Sequence, residues 1–419
     1  MTKNLTVLSL YTGAGGLDYG FEAAGFRTAV ALELDPVCVA TLQNNRGWPV
    51  IMKDIADVTT RQLLLKAGLK RGEADVLIGG PPCQPFSKSG FWATGGAKRL
   101  ADPRAATLDG YLRVLDEAQP KAFMLENVEG LGFRGKDEGL QLIRHRLQEI
   151  NARRKTAYNM KVAVLNAADH GVPQIRKRLF IVGSRDGRPF HFPEPSHGEK
   201  ANQTGQEKPA YVTTWDALHD LPEPEREGLQ LRGKWADLLP SVPEGENYLW
   251  HTERGGGERL FGWRRRYWCF LLKLAKSQPS WTLQAQPGPA TGPFHWKNRL
   301  LSVREMARLQ TFPDDIDFAG SYADARRQLG NAVPSLLAEV IARAIRAQLL
   351  DRPLRNPEPK LAVISAGRPA PPPERVQPVP SKYRPLRGEH EAHPGTGKGY
   401  AASARALDID QLQLSFAEQ

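Results

Sequence analysis

Short apolar runs alternate with helix-length stretches through the first ~180 residues of the chain, the spacing of strands and helices that take turns. Val7–Tyr11 reads as a first strand, followed by a glycine turn and a helix over Asp18–Ala24. Thr28–Leu34 is a second strand and Val37–Gln43 a second helix. Val50–Met52, Val76–Ile78 and Ala122–Leu125 continue the series, and Met160–Leu165 and Leu179–Val182 supply two more strands. This alternation predicts an α/β domain with a doubly wound, parallel sheet over residues 1–186.

The pattern then dissolves. Residues 187–295 are rich in Gly, Pro, Trp and charge without a sustained period, and are expected to form a second, smaller, irregular domain. Order returns over 296–350. Val303–Leu309 is helical, and Ser335–Leu349 places Leu336, Leu337, Val340, Ile341, Ala344, Ile345 and Leu349 on one stripe after Pro334. Residues 351–419 carry 11 of the 33 prolines and little periodicity, so they are expected to be a flexible or loosely draped tail.

Composition narrows the function classes. No run approaches the ~20 apolar residues that span a bilayer, and the N-terminal apolar run gives way to Gly13, Gly15 and Gly16 too soon for a signal peptide. Three scattered cysteines, Cys38, Cys83 and Cys269, suit neither a disulfide framework nor a zinc site and imply a reduced, cytoplasmic setting. Lys and Arg total 57 against 46 acids, a net charge of +11. Charge alone leaves a solvated surface and a nucleic-acid partner equally open. The stretch RGGGERLFGWRRRYWCFLLK (254–273), which interleaves arginines with Trp263, Tyr267 and Trp268, favours phosphates and unstacked bases.

Candidate chemistry gathers where the predicted strands end. Gly13, Gly15 and Gly16 lie between strand and helix, where backbone can approach a ligand at a helix N-terminus, although their GxGG spacing is not the dinucleotide-binding GxGxxG. Glu33 ends the next strand, where a carboxylate can accept from ribose hydroxyls, and Asp54 follows the third, within reach of an adenine amino group. Three polar strand tips in a row describe an adenosine-type cofactor across the carboxyl edge. Cys83 follows the fourth strand in IGGPPCQPFS, stiffened by Pro81, Pro82 and Pro85. With no second ligand nearby for a metal, the best reading of this thiol is a nucleophile. Glu126 follows at the fifth strand, and Gln174, Arg176 and Arg178 share one face if their segment is extended. A helix cap for Glu126 and a positive surface strand for the arginines remain the alternatives.

Taken in order, LSLYTGAGGL, ELDP, KDI, GGPPCQPFS, ENV, QIRKR, RLLSVREMARLQTFPDD and RQLGNAVP resemble the DNA (cytosine-5)-methyltransferases from about Leu5 to Leu349. The resemblance implies a class I S-adenosylmethionine-dependent methyltransferase fold, Rossmann-like and doubly wound, with residues 187–295 as a target-recognition domain. It implies S-adenosylmethionine as cofactor and no metal. Tyr11, Gly13, Gly15, Gly16, Glu33, Asp54, Ile55 and Asn331 would bind that cofactor, Tyr11 by stacking and Asn331 by closing the pocket. Cys83 would be the nucleophile, Glu126 would contact N3 and the exocyclic amine of the base, and Arg178, assisted by Arg176, would reach O2. Arg264, Arg265, Arg266 and the Thr282–Leu283 pair would contact duplex DNA. Ser9 stands where an acid is common, and Leu34 where an aromatic is common. The expected protein is a monomeric, nucleoid-associated modification enzyme that acts on duplex DNA. It would pair functionally with a restriction endonuclease without forming a stable complex. A tRNA cytosine methyltransferase of the same fold is the nearest alternative, and a catalytically silent nucleic-acid-binding module the next.

Overall fold

The computed structural model describes residues 4–82, 106–129, 138–199, 208–225, 228–262, 268–288 and 290–388. Seven strands form one sheet in the order β3-β2-β1-β4-β5-β8-β6. They are β1 (Leu5–Leu10), β2 (Phe26–Glu33), β3 (Val50–Met52), β4 (Val76–Gly79), β5 (Ala122–Val128), β6 (Lys161–Asn166) and β8 (Lys177–Ser184). β3, β2, β1, β4 and β5 run parallel, whereas β8 is antiparallel to both β5 and β6. The sheet is therefore mixed at one end, because a short connection can reverse β6 into β8 but cannot make the crossover that a parallel neighbour needs.

Both faces of the sheet are covered, which explains why its central strands read as unbroken apolar runs. On one side Leu8, Leu10, Leu77, Phe123, Leu125 and Ile181 pack with side chains of α3 (Thr60–Ala67), α4 (Ala106–Ala118) and α5 (Glu138–Arg154). On the other, Val7, Ile78, Met124 and Phe180 meet α1 (Gly16–Ala23) and α9 (Ser335–Gln348). The stripe expected on α9 is the buried face: Leu336, Leu337, Ile341 and Ile345 are at most 1% exposed. α1 and α9 approach so closely that a Cβ at Gly20 would strike the Ser335 carbonyl and Ala338.

The strand ends at the carboxyl edge are fixed locally. Tyr11, expected as the last residue of the first strand, has φ +54° and leads straight into Gly13 at φ +56°, so the strand stops at Leu10. Asp35 caps α2 (Pro36–Asn45) by accepting from Val37 N–H, with Pro36 at the first helical position. Ser302 and Glu305 form a capping box on α7 (Val303–Leu309), and Ser321 and Asp324 do the same for α8 (Tyr322–Asn331).

Between residues 208 and 300 regular structure is sparse among the described residues: α6 (Thr214–Leu218), two short 3-10 turns, and β9 (Ser280–Trp281). β9 pairs in parallel with β7 (Gln174–Ile175). Leu238, Leu239, Val242, Leu260, Leu271 and Phe294 form a separate apolar core there. Val379 and Tyr383 belong to the same core. Residues 351–388, expected as a flexible or loosely draped tail, are instead pinned to folded surface: Val379 and Tyr383 are buried, and backbone N–H groups along the segment bond to Glu339, Asp216 and Glu244. No described helix is long and apolar enough to cross a membrane.

Candidate active site

The glycine turn divides its work. Gly13 has φ +56° and open space where a side chain would stand, so this is the face through which a ligand can meet backbone. Gly15 and Gly16 are required by packing. A Cβ on Gly15 would press on Leu42 and Tyr19 at 3.0 Å, and one on Gly16 would collide with the Val333 carbonyl. Val333 belongs to the GNAVP turn, so two segments far apart in sequence close on each other at this point. Glu33 braces the opening: one carboxylate oxygen accepts from Gly13 N–H at 2.6 Å, the other from Leu34 and Asp35 N–H at 2.8 Å each. Arg327 on α8 pairs with Asp35, which ties this strand tip to the return segment.

Tyr11 lies half-buried beside the turn, and its hydroxyl donates to Thr107 O at 2.6 Å. Burial raises its pKa, and Asp54 adds to the shift while Arg113 opposes it. Asp54 caps a 3-10 turn through Ala56 N–H at 2.9 Å, with Ile55 buried behind it. Arg113 fixes that turn by donating to Ile55 O and Val58 O. Asn331 is exposed at the end of α8. The preceding Gly330 packs so closely that a Cβ there would hit the backbone of Gln284 and Ala285. An adenosine-type cofactor fits this set of groups: acids at two strand tips, Asp54 exposed and Glu33 half-buried, with open space at a left-handed glycine and an aromatic beside it.

At the fifth strand the register does the positioning. Glu126 lies opposite Phe180 and Val128 opposite Arg178, so Glu126 and Arg178 are diagonal neighbours on one face. Glu126 Oε1 stands 3.1 Å from Arg178 Nε, with only 11% and 17% of the two side chains exposed. Burial pushes the Glu126 pKa up, and Arg178 and Arg176 pull against it. A carboxyl held this way can keep or share a proton where a surface carboxylate would not. A Cβ at Gly80 would come within 2.9 Å of Glu126 Oε2, and Asn127 donates to Pro81 O at 3.3 Å. Glu126 thus sits against the stem that leads into Cys83. Cys83 lies outside the described residues, as do Arg264, Arg265 and Arg266 and the neighbouring Trp263 and Tyr267.

Gln174, Arg176 and Arg178 do not form a positive surface strand. Arg176 has no exposed surface, and its guanidinium donates to Leu283 O at 3.4 Å and Gly330 O at 2.9 Å. Gln174 is also fully buried and donates to Leu309 O. Arg176 therefore bridges the Thr282–Leu283 pair to the return segment, while Arg178 turns to Glu126. Thr282 reinforces the bridge by donating to Ile175 O at 2.7 Å.

Asp18 was missed by the sequence reading. It is fully buried in the first turn of α1, accepting from Ser9 Oγ at 3.0 Å and Thr28 Oγ1 at 2.9 Å. Ser9, noted for replacing an acid, thus faces an acid supplied by the helix. Among the described residues no cluster of three His, Cys, Asp or Glu side chains is placed to hold a metal ion.

Known proteins place this geometry. Residues 5–347 match the model of the C-5 cytosine-specific DNA methylases. The chain is 42% identical over 375 residues to Type II methyltransferase M.SacI of Streptomyces achromogenes, covering 83% of this chain and 94% of that one. It is 33% identical over 355 residues to Type II methyltransferase M1.HphI of Haemophilus parahaemolyticus, covering 82% and 87%. In fold it is similar to the Entamoeba histolytica methyltransferase EhMeth, with a TM-score of 0.55 at 16% identity over 83% of this chain and 99% of that one. The S. pombe Dnmt2 methyltransferase gives 0.53 at 16% identity over 82% and 99%. With the fold, the order of its motifs and this match in agreement, the chain belongs to the C-5 cytosine-specific DNA methylase family and is a DNA (cytosine-5)-methyltransferase of the Type II restriction–modification kind.

Proposed function

We propose that this enzyme methylates C5 of a flipped-out cytosine in a specific duplex sequence, with Cys83 as the transient nucleophile. The buried Glu126–Arg178 pair beside the Pro81–Pro82 stem is the observation that carries the reading. Cytosine C5 is a poor nucleophile. Addition of the Cys83 thiolate to C6 makes C5 electron-rich, and Glu126, with its raised pKa, holds a proton at N3 where charge develops. Arg178 stabilises density at O2. S-adenosylmethionine, when bound, supplies an electrophilic methyl group to C5. Glu33 and Asp54 would hold its ribose and adenine, Ile55 and Tyr11 would pack on its rings, and Gly13 would give it access to backbone. Asn331 would close the pocket. Loss of the C5 proton to a base then expels the thiolate, which a serine alkoxide could not match as a leaving group.

The target base must leave the stack for this chemistry. Residues 187–295 act as the target-recognition domain, with Arg264, Arg265 and Arg266 on phosphates or guanines and Thr282–Leu283 near the base. The product protects resident DNA from a nuclease of matching specificity. Trapping on 5-fluorocytosine duplex DNA tests the mechanism. A covalent adduct at Cys83 is expected, absent in Cys83→Ser while S-adenosylhomocysteine still binds; an adduct elsewhere, or normal turnover in the variant, rejects it.

A further inference from the structure

Residues 351–388 lie beyond the family match, which ends at residue 347. They touch three parts of the molecule in succession. At the start, Glu339 of α9 is fully buried and receives Lys360 N–H at 2.7 Å and Leu361 N–H at 2.9 Å, while Arg343 donates to Asn356 O. In the middle, Asp216 of α6 accepts from Ala366 N–H at 3.0 Å and Ser365 Oγ at 3.1 Å, and the Arg368 guanidinium lies 5.9 Å over the Trp215 ring.

The end of the segment completes the core of the irregular domain. Lys276, with 5% of its side chain exposed, binds Glu244 at 2.6 Å, Glu374 at 3.0 Å and the Pro372 carbonyl at 3.1 Å. Glu244 also accepts Glu374 N–H at 2.8 Å. Tyr383, 2% exposed, stacks on Trp235 with centroids 5.8 Å apart and planes 15° apart, and donates to Lys234 O at 2.6 Å. Gln377 N–H reaches Pro240 O at 3.0 Å, Lys382 pairs with Asp237, and Arg384 and Arg387 pair with Glu258. A loosely draped tail would not bury a tyrosine or supply two of the three partners of a buried lysine.

We propose that residues 356–387 are a positioning strap. Anchored on helix α9, which packs on the sheet, and built into the core around Trp235 and Lys276, they hold the target-recognition domain in its DNA-binding placement. DNA affinity therefore depends on the strap, and cofactor binding does not. The inference rests on the assignment of residues 187–295 to target recognition. When the competent arrangement becomes a minor fraction of the molecules, apparent affinity falls by that fraction, without loss of any DNA-contacting side chain.

The test replaces residues 372–387 by a Gly-Ser segment of equal length in the full chain. The DNA KM is expected to rise by about tenfold or more at cognate and near-cognate sites alike, as the competent population shrinks. S-adenosylhomocysteine affinity and the turnover number at saturating DNA should stay within about twofold, because the strap touches neither the cofactor edge nor the Glu126–Arg178 pair. Tyr383→Ala should move part of the way, and Tyr383→Phe, which keeps the stack but loses the bond to Lys234 O, should move less. A DNA KM within about twofold of wild type in the replacement overturns the proposal, and so does a parallel loss of cofactor affinity, which marks a general folding element. Failure of the underlying assignment looks different: exchanging residues 228–300 for those of a relative would then leave the target sequence unchanged, whatever the strap does.

Discussion

Replacing Asp18 by asparagine should stabilise the protein, by an amount that grows with pH. The carboxyl is fully buried, and burial raises its pKa from 3.8 to about 7 against the opposing hydrogen bonds of Thr28 and Ser9. Between those two values the unfolded chain has released a proton that the folded chain retains, so stability falls as pH rises through this window. At ~1.4 kcal/mol per pKa unit, a gap of roughly three units costs the native state on the order of 4 kcal/mol once pH exceeds the folded pKa. An Asp18→Asn side chain carries no charge at any pH and escapes this cost. Its amide nitrogen needs an acceptor, and Ser9 Oγ can serve by turning its own proton toward Thr12 Oγ1, 3.0 Å away. The two proteins should match near pH 4, separate by ~1.4 kcal/mol per unit through the window, and level off above pH 7. Urea unfolding of both at pH 5, 6, 7 and 8 measures this directly. A difference that stays flat with pH, or a variant less stable at pH 8, would mean that the anion itself is stabilised in place, and the reasoning from desolvation would be wrong.

Substitutions at two further positions probe the catalytic edge. Glu126→Gln keeps an acceptor for Arg178 Nε but cannot give a proton to the base. Turnover should fall by about 10²–10⁴ with little change in melting temperature, whereas Glu126→Ala strands a buried Arg178 at a cost of ~3–5 kcal/mol. Because burial raises the Glu126 pKa, wild-type turnover should decline as pH rises through it, and the Gln variant should lack that limb; an unaltered pH profile and rate would remove Glu126 from the chemistry. Tyr11→Phe retains the ring but loses the bond to Thr107, whose hydroxyl donates at 3.3 Å to Pro82 O, next to Cys83 in the chain. Losing a hydrogen bond worth ~1 kcal/mol should slow adduct formation roughly fivefold while cofactor affinity holds, and a change confined to cofactor affinity would refute this coupling.

The sheet was legible because its strands are buried on both faces, so continuous apolar runs such as Val76–Ile78 and Ala122–Leu125 stand out from their surroundings. Once the strand ends were placed, the carboxyl edge followed, and with it Glu33, Asp54 and Glu126 as neighbours. Chain direction was less legible: nothing in LFIV (179–182) distinguishes an antiparallel β8 from a parallel one, although that reversal is what brings Arg178 opposite Val128 and against Glu126. The spacing of Gln174, Arg176 and Arg178 equally fits a surface strand. What decides between the two is that Leu283 O and Gly330 O, over a hundred residues downstream, converge on the Arg176 guanidinium. Asp18 hid for the opposite reason, since an acid in the first turn of a helix is what a solvated N-terminus would show as well.

The strap was the least legible part, and the reason is physical. Val379 and Tyr383 are single apolar residues between prolines, with no period to announce a buried face, and their burial depends on Trp235, Leu238 and Leu239 arriving from elsewhere in the chain. Periodicity detects elements that bury a face of their own. It is blind to a segment that joins an existing core one side chain at a time, with its backbone N–H groups satisfied by Glu339, Asp216 and Glu244 rather than by a ladder. Such a segment combines proline-rich composition with side-chain carboxylates as its backbone partners. Here the three acceptors lie on three different parts of the molecule, which makes this stretch of chain a tie between them.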